Sequence, residues 1–553
     1  MKKRLFLSAV LIAAVSLAFV LLGCSDDGGD SSTLTYEEQA NAYKSTHQSA
    51  LALDVETVLV ADEPIVNAAI TAYNALDLNV QAFLGTEYAL LTSLKAKIGK
   101  LKSAENFKTT HQIALALETG TVQIDNYEII DAALTAYELL EMDVQDLLTE
   151  EKELLEDLLD AIIGLFVPFT LNAGANNSAM GMVSQEPAGA IIPITSVTLE
   201  ASEEAGYKFI YWTVNGVKAG TNTTLPAREY TDTDEVVAVF IHEDLYVTSN
   251  ADTNTPGTLR YAIGAVGGLV AAASGASGFD IIFLALDGTK TIEIDDNLPF
   301  IESSMTIEGN GTTLKPSAAW DPAVGQGGTR DDFSVVIVHI YGTLTLRGLH
   351  FTDFLTMNYS GGVIWNYNSN AITVLESCIF SNNITQVTIE DVVYGSGAAI
   401  RATGGDVIVR GCTFYNNEAG MHGGAISLDI GGNLTLTGNL FWKNSGDFSY
   451  NVFVNATASG SSGGYNVFGG NGDTNDAWEK DNGITNGWFD YTNHDMLFSE
   501  YSIADSAVIF DSEFKPLGAY AYTSWLTDTD IPDFPATDFY GNPRTGSSGA
   551  VNP

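Results

Sequence analysis

Arg401 and Arg410 flank Asp406, and Glu390-Asp391 lies a few residues upstream. Carboxylates that hold Ca2+ against an acidic sugar, with a basic group to take a proton, are what a polysaccharide lyase needs. A glycoside hydrolase needs two carboxylates at a set separation. The chain carries 69 Asp and Glu, so residue types alone select no pair. Solvated charges on outward strand positions and loops are the simpler reading, and no catalytic residue is assigned. The acidic loops Asp473 to Gly483 and Thr527 to Asp533 could take Ca2+, but neither has the glycine-at-six, glutamate-at-twelve spacing of an EF-hand. No other cofactor is expected. His47 and His111 each stand without a neighbouring Cys or second His, so packed or surface positions are expected rather than metal ligation. The His-Glu-x-x-His and phosphate-loop patterns do not occur.

The charge balance narrows the partners. With 24 Lys+Arg against 69 Asp+Glu, the formal net charge is -45. Nucleic-acid binding needs a basic face, and docking on anionic headgroups needs one too. Hydrophobic residues make up 45% of the chain and charged ones 17%, which argues for folded domains. At 553 residues about three or four of them are expected.

The N-terminus reads as an export signal. Lys2, Lys3 and Arg4 precede an apolar run from Leu5 to Leu22, then Gly23 and Cys24. Leu21-Leu22-Gly23-Cys24 resembles the bacterial lipobox. The resemblance implies that residues 1–24 are a lipoprotein signal, that cleavage precedes Cys24, and that its sulfur carries a diacylglyceryl anchor to the membrane. Residues 25–33, rich in Gly, Ser and Asp, read as a flexible linker. Cys378 and Cys412 are then the remaining cysteines, which is no disulfide framework. Two small buried thiols are favoured over a bridge.

Residues 34–166 contain an internal repeat. His47 matches His111, Tyr73 matches Tyr137 and Ile98 matches Ile162, without a gap. Leu90, Leu91, Leu94 and Ile98, and their counterparts Leu154, Leu155, Leu158 and Ile162, fall at helical spacing. Asp62-Glu63-Pro64 is a helix start. Two three-helix modules, 34–101 and 102–166, are expected. They look like the tandem helical spacer or binding modules of bacterial surface proteins.

Residues 167–244 change to strand-like alternation, as in Val197-Thr198-Leu199-Glu200-Ala201. Gly206, Tyr207, Phe209, Trp212, Asn215 and Gly216, with Val237 and Phe240 downstream, resemble the divergent internalin B-repeat. The resemblance implies a compact β-grasp-like spacer, with Trp212 filling the core of a domain that needs large aromatics there.

From residue 245 to 553 the texture is that of a solenoid. Pro256, Gly257, Leu259, Arg260, Ala262 and Ile263 resemble the capped entry of secreted right-handed parallel β-helices, and Ile307, Gly309, Asn310 and Gly311 the first rung. Four segments then end on Phe351, Phe380, Phe414 and Phe441, and Asn383, Asn417 and Asn444 follow three residues after the last three of these. Gly361-Gly362-Val363-Ile364 and Gly423-Gly424-Ala425-Ile426 share Gly-Gly-x-Ile. The pairing of Phe-x-x-Asn with Gly-Gly-x-Ile resembles the repeat of chlamydial polymorphic outer membrane proteins. Alternation such as Leu434-Thr435-Leu436 buries one face, Gly-Gly permits a tight corner, and the Asn can form a ladder or an Asx turn at the bend. Ser377 departs from the pattern, standing where the other copies have Gly348, Gly411 and Gly438. Asp538 to Arg544 resembles the closing segment of such β-helices.

The chain is therefore expected to be multidomain: an all-α helical repeat, a small β domain and an all-β right-handed parallel β-helix. The first functional reading is a lipid-anchored, surface-exposed bacterial lipoprotein. Its β-helix would bind a polysaccharide or protein ligand in the manner of an adhesin, and the first two modules would serve as a stalk. Trp365, Tyr367, Tyr415 and Trp442, read as exposed loop aromatics, are the candidate contacts. The alternatives are a carbohydrate-active enzyme and a structural envelope protein.

Overall fold

The computed structural model describes residues 34–273, 276–322, 335–357, 361–389, 392–469, 473–493 and 495–497. Cys24 with its signal and linker, Glu390-Asp391, the stretch 527–533 and the closing segment lie outside the described residues. The chain forms two units, divided after Phe166.

The first unit is helical. Thr35 caps its first helix, Tyr36–Thr46: its hydroxyl accepts from the Glu38 N–H at 3.2 Å, and Glu38 accepts from the Thr35 N–H at 2.8 Å. Glu63–Asn74 starts with Pro64 in its first turn, where proline's missing N–H costs nothing. The two repeats are joined by one helix, Gly85–Thr110. It runs through the expected module boundary, so the third helix of one copy continues as the first helix of the next. Helices Tyr127–Glu138 and Thr149–Ile163 complete the second copy. Each copy keeps its own core, around Leu91, Leu94 and Ile98 in one and Leu155, Leu158 and Ile162 in the other. His47 lies on the Tyr43 ring at 4.7 Å and His111 on Phe107 at 4.8 Å, with nearly the same tilt. Both histidines are packing residues at a helix end.

The second unit begins with two small sheets. One joins strands Asn172–Ala175, Tyr207–Val214, Val217–Gly220 and Glu235–His242; the other joins Gly181–Glu186, Val197–Glu203 and Thr224–Arg228. Trp212 is fully buried between them, and its indole N–H donates to the Asn222 carbonyl at 2.9 Å. A register shift between Phe209 and Tyr211 turns neighbouring residues to opposite faces. Phe209 packs with Trp212, whereas Ile210 and Tyr211 join Val239 and Ile241 in the core of the β-helix. The small β domain is thus continuous with the β-helix.

Helix Leu259–Ala272, capped by the Thr258 hydroxyl, places Leu259, Ala262, Ile263 and Val266 on that same core. Covering the apolar end of a stack of rungs is what such a cap supplies. Arg260 fastens it, bonding Asp252 at 2.6 and 2.8 Å and the Asp296 carbonyl at 2.8 Å.

Parallel rungs make up most of the described residues that follow. The long face stacks Met305–Pro316, Gly342–Thr352, Ala371–Glu376, Asp406–Arg410, Asn433–Thr437 and Ser459–Gly464. The phenylalanine face aligns Phe351, Phe380, Phe414, Phe441 and Phe468, all buried, with successive ring centroids 5.1, 5.2, 4.7 and 4.8 Å apart. Phe468 is a fifth member that its sequence context, Tyr-Asn-Val-Phe, does not announce. The third main face stacks Ile337–His339, Ile364–Asn366, Ile400–Ala402, Ile426–Leu428 and Val452–Val454. Two of its strands, Ile364–Asn366 and Ile426–Leu428, follow the Gly-Gly-x-Ile corners, which gives the GGxI face its label.

The corners explain the repeat. Between the long and phenylalanine faces the chain turns through positive φ at Gly348, Ser377, Gly411, Gly438 and Tyr465. Just after the phenylalanine strand it does so again at Asp353, Asn382, Asn416 and Lys443, the last three being the third residue of each Phe-x-x-Asn. The final Asn then builds a buried ladder: Asn383 donates to Asn417 at 2.9 Å, Asn417 to Asn444 at 2.8 Å and Asn444 to Asn451 at 2.9 Å. Gly423 and Gly424 form a corner where a side chain would run into the Ile426 and Tyr450 carbonyls. Gly362 faces the Ala398 backbone in the same way, and Gly361, at positive φ, the Arg401 side chain.

Candidate binding face

The residues that could do chemistry do not gather where their order in the chain suggests. Arg401 sits on the GGxI face and pairs with Asp429. Arg410 sits on the long face and pairs with Glu376 at 3.3 Å. Asp406 accepts from the Asn433 backbone and amide at 2.8 and 2.9 Å. On the long face Glu308, Arg347, Glu376 and Arg410 are register partners in successive rungs. Arg347 bonds Glu308 at 2.8 Å and Glu376 at 2.5 Å. Burial opposes its charge, but the two carboxylates outweigh burial and raise its pKa. This alternating column is an internal brace. The stretch from Asp473, expected to be an acidic loop, instead lies within helix Asp473–Asn486. Among the described residues no three His, Cys, Asp or Glu side chains gather as a metal-binding group.

Cys378 and Cys412 are free and buried. They belong to a second ladder. The Cys378 N–H points to the Cys412 sulfur at 3.4 Å, the Cys412 N–H donates to Asn439 at 2.9 Å, and the Asn439 N–H to Asn466 at 3.1 Å. Asp495 ends the column, accepting from the Asn466 backbone and side chain at 2.9 Å each. Sulfur here takes the acceptor position that an amide oxygen takes in later rungs.

The GGxI face carries the mixed polar and aromatic surface. Its inward residues, such as Ile364, Ile400 and Ile426, lie in the core. The outward column is therefore Val338, Trp365, Arg401, Ser427 and Phe453, one residue per rung. Next to it, where the chain leaves the strand, stand Tyr367, Thr403, Asp429 and Asn455. The Asp429 carboxylate joins the columns: one oxygen accepts from Arg401 Nε at 2.6 Å, the other from the Ser427 hydroxyl at 2.6 Å. The Arg401 and Asp429 side chains are 19% and 18% exposed. The His422 ring stacks on Phe453 at 4.1 Å and meets the exposed Phe448 at 5.2 Å. Burial lowers the His422 pKa, against the pull of Asp429, so the ring stays neutral at pH 7.

Three of the four expected contacts, read as exposed loop residues, need correction. Trp442 lies in strand Leu440–Trp442 and is fully buried, and Trp365 lies in strand Ile364–Asn366, 6% exposed. Both are strand residues rather than loop residues, because each rung places the residue after the core position on a stacked sheet. The Trp365 N–H donates to Thr403 at 3.1 Å, and the ring meets Tyr367 edge-on at 4.8 Å. Tyr415 is also a strand residue, half-buried on the phenylalanine face. Tyr367 is exposed beyond its strand. Asp429, Ile430, His422 and Phe448 escaped the reading of the sequence; Ile430 and Phe448 are exposed apolar residues beside repeat positions.

Residues 411–429 match the Chlamydia polymorphic membrane protein repeat. The match runs from the corner at Gly411 through Phe414 and Asn417 to Gly423, Gly424 and Asp429, so it spans a bend, a ladder Asn and a Gly-Gly corner. No curated protein and no solved structure matches the chain. The repeat, seated in stacked parallel strands, marks this part of the chain as a polymorphic-membrane-protein-like β-helix and points to a bacterial surface or outer-membrane-associated protein. Among the described residues no helix is long and apolar enough to cross a membrane.

Proposed function

We propose that the protein is a lipid-anchored bacterial surface protein whose β-helix binds an extracellular ligand without turning it over. The observation that carries this reading is the polymorphic membrane protein repeat, whose Gly-Gly corner leads into strand Ile426–Leu428, stacked between the strands that carry the partly exposed Arg401 and Phe453. Cys24, with the apolar run before it, supports the anchor. The helical repeat and the internalin-like β module serve as the spacer between anchor and β-helix. The basic residues support binding over catalysis, since Arg347, Arg401 and Arg410 are each engaged with carboxylates of their own chain.

Two experiments test the two halves. Radiolabelled fatty acid should enter the wild-type protein and not Cys24→Ser, and protease applied to intact cells should degrade the wild type. Label in Cys24→Ser would overturn the anchoring, and full protection from protease would overturn the surface exposure. For the second half, the purified chain is screened on polysaccharide and matrix-protein arrays and incubated with the same polysaccharides. Retention of a ligand without release of reducing sugar or unsaturated product is expected. Product release would sink the non-catalytic reading in favour of a carbohydrate-active enzyme. Retention of nothing would leave a structural envelope protein.

A further inference from the structure

The reading of the chain as a ligand-binding surface protein does not say where a ligand sits or what it is. We infer that the outward strip of the GGxI face, from Tyr367 through Arg401 and Asp429 to Phe448, binds a neutral glycan. The inference rests on the proposed binding role and goes beyond it by naming the site and the ligand class.

Three observations carry it. The polar centre is electrically balanced: Arg401 is held by Asp429, and Asp429 also takes the Ser427 hydroxyl. The centre therefore presents a guanidinium edge and a carboxylate side by side, a donor next to an acceptor. Sugar hydroxyls, which both donate and accept, fit that pair; a ligand carboxylate would have to compete with Asp429 for the guanidinium.

The ends of the strip are aromatic. Tyr367 is 40% exposed at one end and Phe448 is 58% exposed at the other. Tyr367 stands against Trp365, and Phe448 against the neutral, Phe453-stacked His422. Exposed rings braced by other rings offer flat apolar faces at little entropic cost, and the C–H face of a pyranose is their complement. From Trp365 to Phe453 the column crosses three rung spacings, about 14 Å at strand separation, the length of a short oligosaccharide rather than of one sugar.

The field of the whole chain sets the sign. A formal net charge of -45 raises the local concentration of cations and lowers that of anions near the surface. Acidic polysaccharides are disfavoured at a site whose own cation is already neutralised.

The test uses the full chain, immobilised, with neutral glucans, mannans and xylans in one arm, pectate and alginate in a second, and matrix proteins in a third. Wild-type protein should bind in the first arm. Phe448→Ala, Tyr367→Ala and Arg401→Gln should each weaken that binding about tenfold, the scale of a contact worth about 1.4 kcal/mol. Phe448 and Tyr367 are exposed, so those variants should keep the wild-type melting temperature. Neutral-glycan binding that survives all three substitutions would overturn the site while leaving the binding function intact. Wild-type binding confined to acidic glycans or to proteins would overturn the ligand class, again leaving that function. Binding in no arm would overturn both.

Discussion

At the scale of single residues, two positions in each rung decide whether the chain can turn. One is the corner between the long and phenylalanine faces. Glycine occupies it at 348, 411 and 438 with φ near +60°, and Ser377 adopts φ +52° there. A side chain in the left-handed region costs about 1–2 kcal/mol relative to a relaxed backbone. Glycine escapes that cost and gives back part of it as unfolded-chain entropy. Ser377→Gly is therefore expected to raise stability by about 1 kcal/mol, read as a shift in the denaturant midpoint at unchanged slope. An unchanged or lower midpoint would mean that the buried Ser377 side chain contributes more than its backbone costs. The corner was legible in the sequence because three of its five residues are glycine at one offset from Phe, Ser377 and Tyr465 being the exceptions. The second position, held by Asp353, Asn382, Asn416 and Lys443, was less so: Asp and Asn enter the left-handed region most readily after glycine, but Lys443 breaks the pattern. The ladder Asn beside it was visible, since burial in an amide column tolerates few other side chains. Asp429 and Phe448 could not be foreseen, because their roles come from stacking onto Arg401 and His422 in other rungs.

At the scale of elements, the ladder through Cys378, Cys412, Asn439 and Asn466 ends on a carboxylate instead of an amide. Asp495 is 4% exposed, and burial raises its pKa from 3.8 to about 6, despite donors from Asn466, Asp490 and Ser462. The folded state thus binds a proton more tightly than the unfolded chain. Its stabilising contribution is fully present below about pH 4 and is lost as pH rises through 6. A shift of this size is worth on the order of 3 kcal/mol between those limits. Amide hydrogen exchange at Asn439 and Asn466 should accordingly speed up, relative to intrinsic rates, between pH 4 and 6.5. Asp495→Asn keeps an oxygen for the Asn466 donors and cannot ionise, so its protection should vary less over that range. Equal pH dependence in the two proteins would show that Asp495 does not titrate there. The repetition of Phe and Asn made the strands of this element readable, and the same repetition hid its later described rungs. Phe468 follows Tyr465-Asn466-Val467, a form too degenerate to count as a copy, and Asp495 breaks the ladder's residue type.

At the scale of the whole molecule, the sequence suggests three kinds of module in series, and the second unit behaves differently from a series. The small β domain carries Trp212 and Phe240 in a core of its own. It also gives Ile210, Tyr211, Val239 and Ile241 to the core that continues through Leu245, Ile282 and Phe283 into the rungs. Texture marks a boundary near residue 244 because strand alternation yields to turn-rich repeats there; shared burial across that boundary has no signature in the string, since each half looks apolar enough alone. Withdrawing four buried side chains at roughly 1.5–3 kcal/mol each amounts to on the order of 8 kcal/mol. That is comparable to the whole net stability of a domain. A chain starting at residue 245 would keep the cap helix but lose that contact, exposing the apolar core surface that the four side chains cover, a patch prone to association. One starting at residue 167 keeps it, and should give the same oligomeric state as the full chain with a single cooperative melt of its β unit. The shorter chain should instead bind a hydrophobic dye, melt at a lower temperature and associate as concentration rises. Matching melting temperatures for the two truncations would show that the rungs close without the β domain, and that the shared core adds nothing to the stability of the β-helix.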